Sequence, residues 1–514
     1  MTASKSLPAR PSLESLRKQA KKLARDRRVT LREAQLVLAR EYGYPGWQDL
    51  TTEVSRRLGD ALESAAAQAR HAIHDNDLER LRQLLADNPA LLSWQGGDDD
   101  GGLLGFATSA YGDAGNPERE RWFTRAAPAE LLIAAGAAVA PSVCERLLQS
   151  HASGLLQMFR RKGLLPRTLK FAAAVGDLDA VRSKLDDDRS DIAAINEAFI
   201  SACGFKHEAV ASLLLERSIG LDADLGAHVD GSLGRAAFVR YFIEKRPGHA
   251  TAVGLWKVFV MEEVSRAVLD DDLDRFVSGM SREPWMLGDA FVWFQAGLIG
   301  AATLNDRETL IVALLELNPA LLRRQPPPPE QAIEFAFTYA HTHLLPLLTR
   351  IWPLPDDLPH AAGLGSLSRV KRWFDESGAP ALGDLDNHYP FNDARARGHL
   401  RWARPTLQQV LDVALAYSVI NGHFDVADFL LEHGADINTR WNSHEPASIL
   451  HHLVFYGSYE SMQFLIDRGI DMTIKDYRWN STAQGWARHA KKDQKLAQWL
   501  EDAERRRERS TSGD

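Results

Sequence analysis

The chain has 514 residues, 45% of them hydrophobic and 25% charged, the balance of an ordinary soluble protein and not of a disordered one. A net charge of −8 argues against a protein that coats nucleic acid, and no run approaches the roughly 18 apolar residues of a membrane-crossing helix. Cys144 and Cys203, the only cysteines, are too few for a disulfide framework and read as buried thiols in a reducing compartment. With no apolar leader at the N-terminus, the expectation is a cytoplasmic, non-membrane protein, built as several domains or as one elongated array.

Residues 1–58 read as a small basic helical module. Leu13, Leu16, Ala20 and Leu23 recur at helical spacing after Pro11-Ser12. Thr30 and Glu33 have the spacing of a capping box and predict a second helix ending near Gly43. Pro45-Gly46-Trp47 opens a third. Residues 1–50 carry 11 Lys and Arg against 5 Asp and Glu, a local charge of about +6. Arg17, Lys18, Lys21, Lys22 and Arg25 could grip an acidic surface or nucleic acid. The plainer reading is a solvated cap over the first of the elements that follow.

From residue 59 to 377 one local plan recurs with varied spelling. His74 to Leu85 reads as helix, turn, helix, with Asn76 at the turn. The same turn returns at Gly176-Asp177-Leu178, Asp271-Asp272-Leu273, Asn305-Asp306-Arg307 and Gly365-Ser366-Leu367. Gly, Asn and Asp are the residues that tolerate a left-handed backbone. Weaker copies run through Lys206-His207 and Ala340-His341. A Gly- and Asp-rich stretch at 94–128 interrupts the pattern, and between 220 and 300 it is faint. Gln325 to Glu330, with four consecutive prolines, predicts a stiff linker. Residues 378–405 form a long polar loop. The pattern is clearest from 406 to 500, and 501–514 reads as a solvated, disordered tail.

In that clearest stretch Gly422 recurs as Gly457 and Gly434 as Gly469, each 35 residues on. Each first glycine separates two short helices, the second of which carries Val426, Phe429 and Leu430, or Met462, Phe464 and Leu465. Gly434-Ala435-Asp436-Ile437-Asn438 closes one copy, and Ser448-Ile449-Leu450-His451 opens the next. This arrangement resembles the ankyrin repeat, whose opening signature is Thr-Pro-Leu-His; the proline is absent here. The N-terminal wording, Pro11 to Leu23 and Ala34 to Trp47, resembles the leader before the repeats of many bacterial ankyrin proteins. The resemblance implies an all-α, ankyrin-type helical repeat solenoid behind the N-terminal module, with His451 hydrogen-bonding between repeats. Helix pairs this short are stable only when stacked.

No phosphate-cradling loop, nucleophile elbow or His-Glu-x-x-His occurs, and no cofactor is implied. Asp384, Asp386, His388 and His399 have metal-ligand types within the polar loop; solvation explains them as well. His444, His451 and His452 form another cluster, and the acidic triplets at 98–100, 186–188 and 270–272 suit turns and caps. One repeat stands out: Arg440-Trp441-Asn442-Ser443 returns as Arg478-Trp479-Asn480-Ser481. Each lies in a loop that, by the resemblance, projects as a finger beside a concave face. Arg and Trp are enriched at binding hot spots, so Arg440, Trp441, Asn442, Tyr477, Arg478 and Trp479 are candidate contacts for an unidentified protein partner; alternatively the rings staple the fingers to the next repeat. The function expected is a non-enzymatic protein-binding scaffold. The alternatives are an enzyme or metal-binding protein using residues 378–405, and nucleic-acid binding through the basic helices.

Overall fold

The computed structural model describes the chain except for residues 1–4, 6, 9–10, 28–29, 45, 96–100, 109–125, 187–190, 246–252, 325–326, 328–330, 393–404, 442, 444–445, 477–478 and 512–514. The described residues are all-α. Among them the one β-type pairing is an isolated antiparallel bridge between Phe374 and Pro380. No described helix is long and apolar enough to cross a membrane. The chain forms two compact units, Met1–Val258 and Phe259–Asp514.

The first unit begins with helices Leu13–Arg27 and Leu31–Glu41. Thr30 caps the second as its spacing predicts: its Oγ1 accepts from Glu33 N at 3.2 Å, and Glu33 Oε2 accepts from Thr30 N at 2.9 Å. Leu16 and Ala20 pack with Leu38, Leu50 and Val54 into a small core. The third helix does not stop at the expected edge of the module. It runs unbroken from Trp47 to His74, because no proline interrupts that alanine-rich stretch and its single glycine, Gly59, costs just about 1 kcal/mol. The interruption at 94–128 also contains a helix, Gly102–Thr108, buried along its whole length.

The described helix pairs, apart from Ile449–Tyr456 with Tyr459–Asp467, follow one rule. The turn between paired helices holds a residue with positive φ: Asn76, His151, Gly176, Lys206 and Gly234 in the first unit, and Asp271, Asp306, Ala340, Gly365, Gly422 and Lys492 in the second. Lys206 and Ala340 adopt this backbone without being Gly, Asn or Asp, at a cost of about 1–2 kcal/mol each. First helices of successive pairs pack on one another, as Leu169–Ala174 does on Ile192–Gly204 and Leu358–Gly363 on Leu407–Ile420. The last of these contacts joins pairs separated in sequence by the 378–405 stretch. Stacking therefore continues past that stretch.

A second rule links neighbours. The residue after the turn is a histidine at 207, 341 and 423, and each ring reaches back to the preceding pair. His207 Nε2 lies 3.0 Å from the Ala174 carbonyl and His341 Nδ1 2.8 Å from that of Thr303, while His423 bonds the Gly363 carbonyl. Burial lowers the pKa of His207 and His423, keeping both neutral. A Cβ on Gly176 would lie 2.7 Å from the His207 ring, and one on Gly365 2.4 Å from His423. Those two glycines serve the turn and also the neighbour's imidazole.

Gly457 departs from its expected role. Its φ is −110°, extended backbone open to any residue, so a left-handed turn does not explain it. Space does: a Cβ there would sit 2.4 Å from Leu453 Cδ2 and 2.8 Å from Leu453 Cα. Gly457→Ala is expected to destabilise the protein by about 1–3 kcal/mol through overpacking, read as a lower urea midpoint with unchanged slope.

The C-terminal end is a further correction. Residues 501–511 are not a solvated tail but continue the helix Gln494–Thr511, with Leu496, Leu500 and Ala503 buried. Arg507 donates to the carbonyls of Gly469 and Ile470. The linker expected at 325–330 lies outside the described residues apart from Pro327. Cys144 and Cys203 are buried free thiols; burial pushes Cys144 up to about 11 and Cys203 further, so neither is a nucleophile at neutral pH.

Candidate partner-binding face

Three helix pairs build the C-terminal face. Thr406 and Gln409 form a reciprocal cap on Leu407–Ile420, and the chain turns at Gly422 into Phe424–Glu432. Ser448 opens Ile449–Tyr456, and Ser458 caps Tyr459–Asp467 by accepting from Ser461 N. Thr482 caps Ala483–Gly485, which widens into a π turn over Trp486–Lys491 before Gln494–Thr511. The connecting loops after Gly434 and Gly469 are fixed by buried carboxylates. Asp412 Oδ1 accepts from Asp436 N at 2.8 Å, and its burial raises its pKa. Asp476, also buried, accepts from Trp479 N at 2.6 Å, Ser481 N at 2.9 Å and Trp486 Nε1 at 3.0 Å.

The loops are joined to each other and to the helices. Asn438 Oδ1 accepts from Asp471 N at 2.7 Å, and Arg440 Nη1 reaches the Lys475 carbonyl at 3.5 Å. His451 Nδ1 lies 2.7 Å from Ser448 Oγ while its Nε2 meets the Ser481 carbonyl at 3.0 Å. Burial lowers its pKa, which fits a neutral ring accepting at Nδ1 and donating at Nε2. The inter-repeat role that the resemblance implies for His451 is therefore present.

The twin tetrapeptides meet different fates. Trp441 is 1% exposed, its ring edge-on to Tyr417 at 5.7 Å and at the same distance from His452. It staples one pair to the next and offers nothing to a partner. Trp479 is 47% exposed and touches Trp486 edge-on at 5.6 Å. Arg440 is exposed; Asn442, Tyr477 and Arg478 lie outside the described residues. Trp486 in turn packs against Phe455 at 5.9 Å, and Phe455 adjoins Tyr456 at 6.0 Å. Phe455 and Tyr456 are each 40% exposed. An aromatic strip thus runs from Trp479 across buried Trp486 to Phe455 and Tyr456. Sequence reading missed the last two because their spacing on Ile449–Tyr456 is that of an ordinary core face; the adjacency of two aromatics at a helix end was the one available signal.

Among the described residues of the polar stretch at 378–405, the one histidine is held by the protein itself. His388 is buried, with Nε2 at 2.9 Å from the Leu382 carbonyl, Nδ1 accepting from Leu358 N at 3.3 Å, and its ring on Trp373 at 4.8 Å. Both nitrogens are committed. Asp384 caps a short turn through Asp386 N, and His399 lies outside the described residues. His452 is likewise committed, 2.7 Å from the Thr338 carbonyl, and His444 is outside the described residues. Among the described residues no three His, Cys, Asp or Glu side chains could hold a metal ion together. Of the acidic triplets, the one at 270–272 serves its turn: Asp272 Oδ1 accepts from Arg275 N at 2.9 Å.

A buried charge set escaped the sequence reading. His360, with no exposure, lies with Nδ1 2.7 Å from Asp357 Oδ1 and Nε2 3.7 Å from Glu334 Oε1, an ionic contact beyond hydrogen-bond reach. Burial alone would lower the pKa of His360; the Asp357 carboxylate, with Glu334 behind it, outweighs burial and raises it to about 9. Burial would likewise raise Asp357, but protonated His360 and the backbone donors of His360 and Tyr389 hold it below 3.8. The Asp357 carboxylate caps Leu358–Gly363 through His360 N and accepts Tyr389 N at 3.0 Å. It pins the 378–392 excursion to the helices, where Tyr389 stacks on Tyr417 at 5.5 Å.

Comparison with curated proteins finds no match to the chain. Residues 402–476, which carry the first two helix pairs of the C-terminal face, match the family described as ankyrin repeats (3 copies).

Proposed function

We propose that the protein is a non-enzymatic scaffold that captures a protein partner on the C-terminal repeats, and that the helix pairs between 59 and 377 are degenerate copies of the same unit. Ankyrin repeats suggest protein–protein interaction. The observation that carries the reading further is the strip of Trp479, Phe455 and Tyr456. Half-exposed aromatics at the end of helix Ile449–Tyr456 and in the loop at Trp479, bridged by buried Trp486, match the anchors that dominate interface energetics. A preformed face also loses little entropy on binding. Upstream, the shared positive-φ turns at Asn76, Gly176, Asp271 and Asp306 and the side-by-side stacking of first helices support a common unit.

The test is quantitative capture from cells that express the protein natively, comparing wild type with Phe455→Ala/Trp479→Ala. Loss of the two anchors is expected to reduce retention of the bound partner at least about tenfold, at hot-spot losses of about 2 kcal/mol or more. Thermal unfolding should stay close to that of the wild type, since both rings stand at the surface. Unchanged retention would remove the strip from the binding surface.

A further inference from the structure

An open groove of about 350 Å³ in the first unit is bounded by the end of helix Ser153–Arg161, the turn 163–168, and the helices Leu169–Ala174 and Leu178–Asp186. Leu165, Pro166 and Val175 give it an apolar lining, and Arg160, Arg167 and Lys184 stand along it with a single carboxylate, Asp177. Three cations against one anion make the groove positive in a chain whose net charge is −8. Arg160 is tied to Asp177 at 3.1 Å. Lys184 Nζ donates to the Arg167 carbonyl at 2.8 Å, which leaves two of its three N–H groups. The Arg167 guanidinium is exposed and has no partner among the described residues.

We propose that this groove binds an extended acidic peptide segment of a partner protein, an apolar residue seated on Pro166 and Val175 with flanking Asp or Glu carboxylates paired to Arg167 and Lys184. The planar guanidinium suits bidentate contact with a carboxylate. The apolar lining gives a peptide side chain area to bury that a phosphodiester backbone would leave empty. Phe171, the one aromatic ring of the groove, is buried and offers no face on which a base could stack. A short acidic stretch therefore fits where nucleic acid does not. The groove lies in residues 160–184, apart from the aromatic strip, and stands independently of the scaffold reading.

Fluorescence anisotropy of the full chain with a labelled peptide of acidic residues around a central leucine tests the assignment. The same peptide with Gln and Asn in place of the acids, and a labelled single-stranded oligonucleotide, are the comparisons. The acidic peptide is expected to bind. Its affinity should fall at least about tenfold in Arg167→Glu, and similarly between about 50 and 300 mM salt, as screening shortens the reach of these charges. Arg167→Ala gives a smaller loss in the same direction, and because that side chain is exposed neither variant should alter the circular dichroism. Lys21→Glu/Lys22→Glu, in the basic N-terminal helix, should leave the affinity unchanged. Absence of peptide binding, equal affinity for the amide peptide, or loss that follows Lys21 and Lys22 instead of Arg167 overturns the proposal. Oligonucleotide binding that depends on Arg167 would assign the groove to nucleic acid instead.

Discussion

Trp441→Ala should unfold the C-terminal repeats far more readily than the same change at Trp479, although the two tryptophans stand in matching tetrapeptides. The Trp441 ring is enclosed by Tyr417 from one helix pair and His452 from the next, so truncation empties a volume that rigid neighbours cannot refill. Loss of a fully buried tryptophan costs about 3–5 kcal/mol in lost transfer energy and cavity. Trp479→Ala removes a ring with one edge in solvent and is expected to cost under about 1 kcal/mol. Urea unfolding of both variants, with hydrogen exchange of residues 435–456, measures the contrast. Equal and small effects at both positions would mean that Trp441 is not the staple between these pairs.

Breaking the Asp357–His360 pair is the other large expected effect. Asp357→Ala leaves the buried His360 without its counter-ion, strips a cap from Leu358–Gly363 and frees the Tyr389 amide; removing one partner of a buried pair costs about 3–5 kcal/mol. The pH dependence follows from the directions of the two shifts. His360 is raised from 6.5 to about 9, so its contribution is fully present below pH 6.5 and is lost as pH rises through about 9. Asp357 is depressed below 3.8, so its contribution is present above that value and is lost as pH falls through its folded pKa. The pair therefore stabilises most between about pH 4 and 6.5. Urea midpoints of the wild type should decline from pH 6.5 to 9.5, and His360→Gln should flatten that decline. A decline of the same size in His360→Gln would place the titrating group elsewhere.

Much of the architecture was legible because the repeat marks itself with glycines. Gly422, Gly434 and Gly469 are left-handed where helices must stop or reverse, and helical spacing located Leu16, Ala20 and Leu38. What was not legible depends on neighbours. The position one period before His452 is Tyr417, and Tyr417 covers Trp441. His452, one period on, packs on Trp441 itself, and Trp479 meets Trp486 instead and stays half-exposed. Local sequence gives the two tryptophans the same surroundings, and tertiary contact separates them. The stretch at 378–405 misleads for a similar reason. Asp, Asn, His and Arg crowd it, yet His388, Tyr389 and Phe391 turn inward, held where Asp357, more than 30 residues earlier, accepts the Tyr389 amide. Lys206 and Ala340 weaken the signal of their turns, and His151 and Lys492 hide theirs altogether, since tertiary context there overrides residue preference.

The backward-reaching imidazoles of His207, His341 and His423 give the stack a polarity. Each of these three pairs lends an imidazole donor to the pair before it. Trimming back to one of those preceding pairs from the C-terminal side strips its turn of that donor, whereas trimming from the opposite side leaves the remaining imidazole latches in place. Shortened versions should therefore tolerate loss of leading pairs better than loss of trailing ones, and fraying should advance toward the N-terminus.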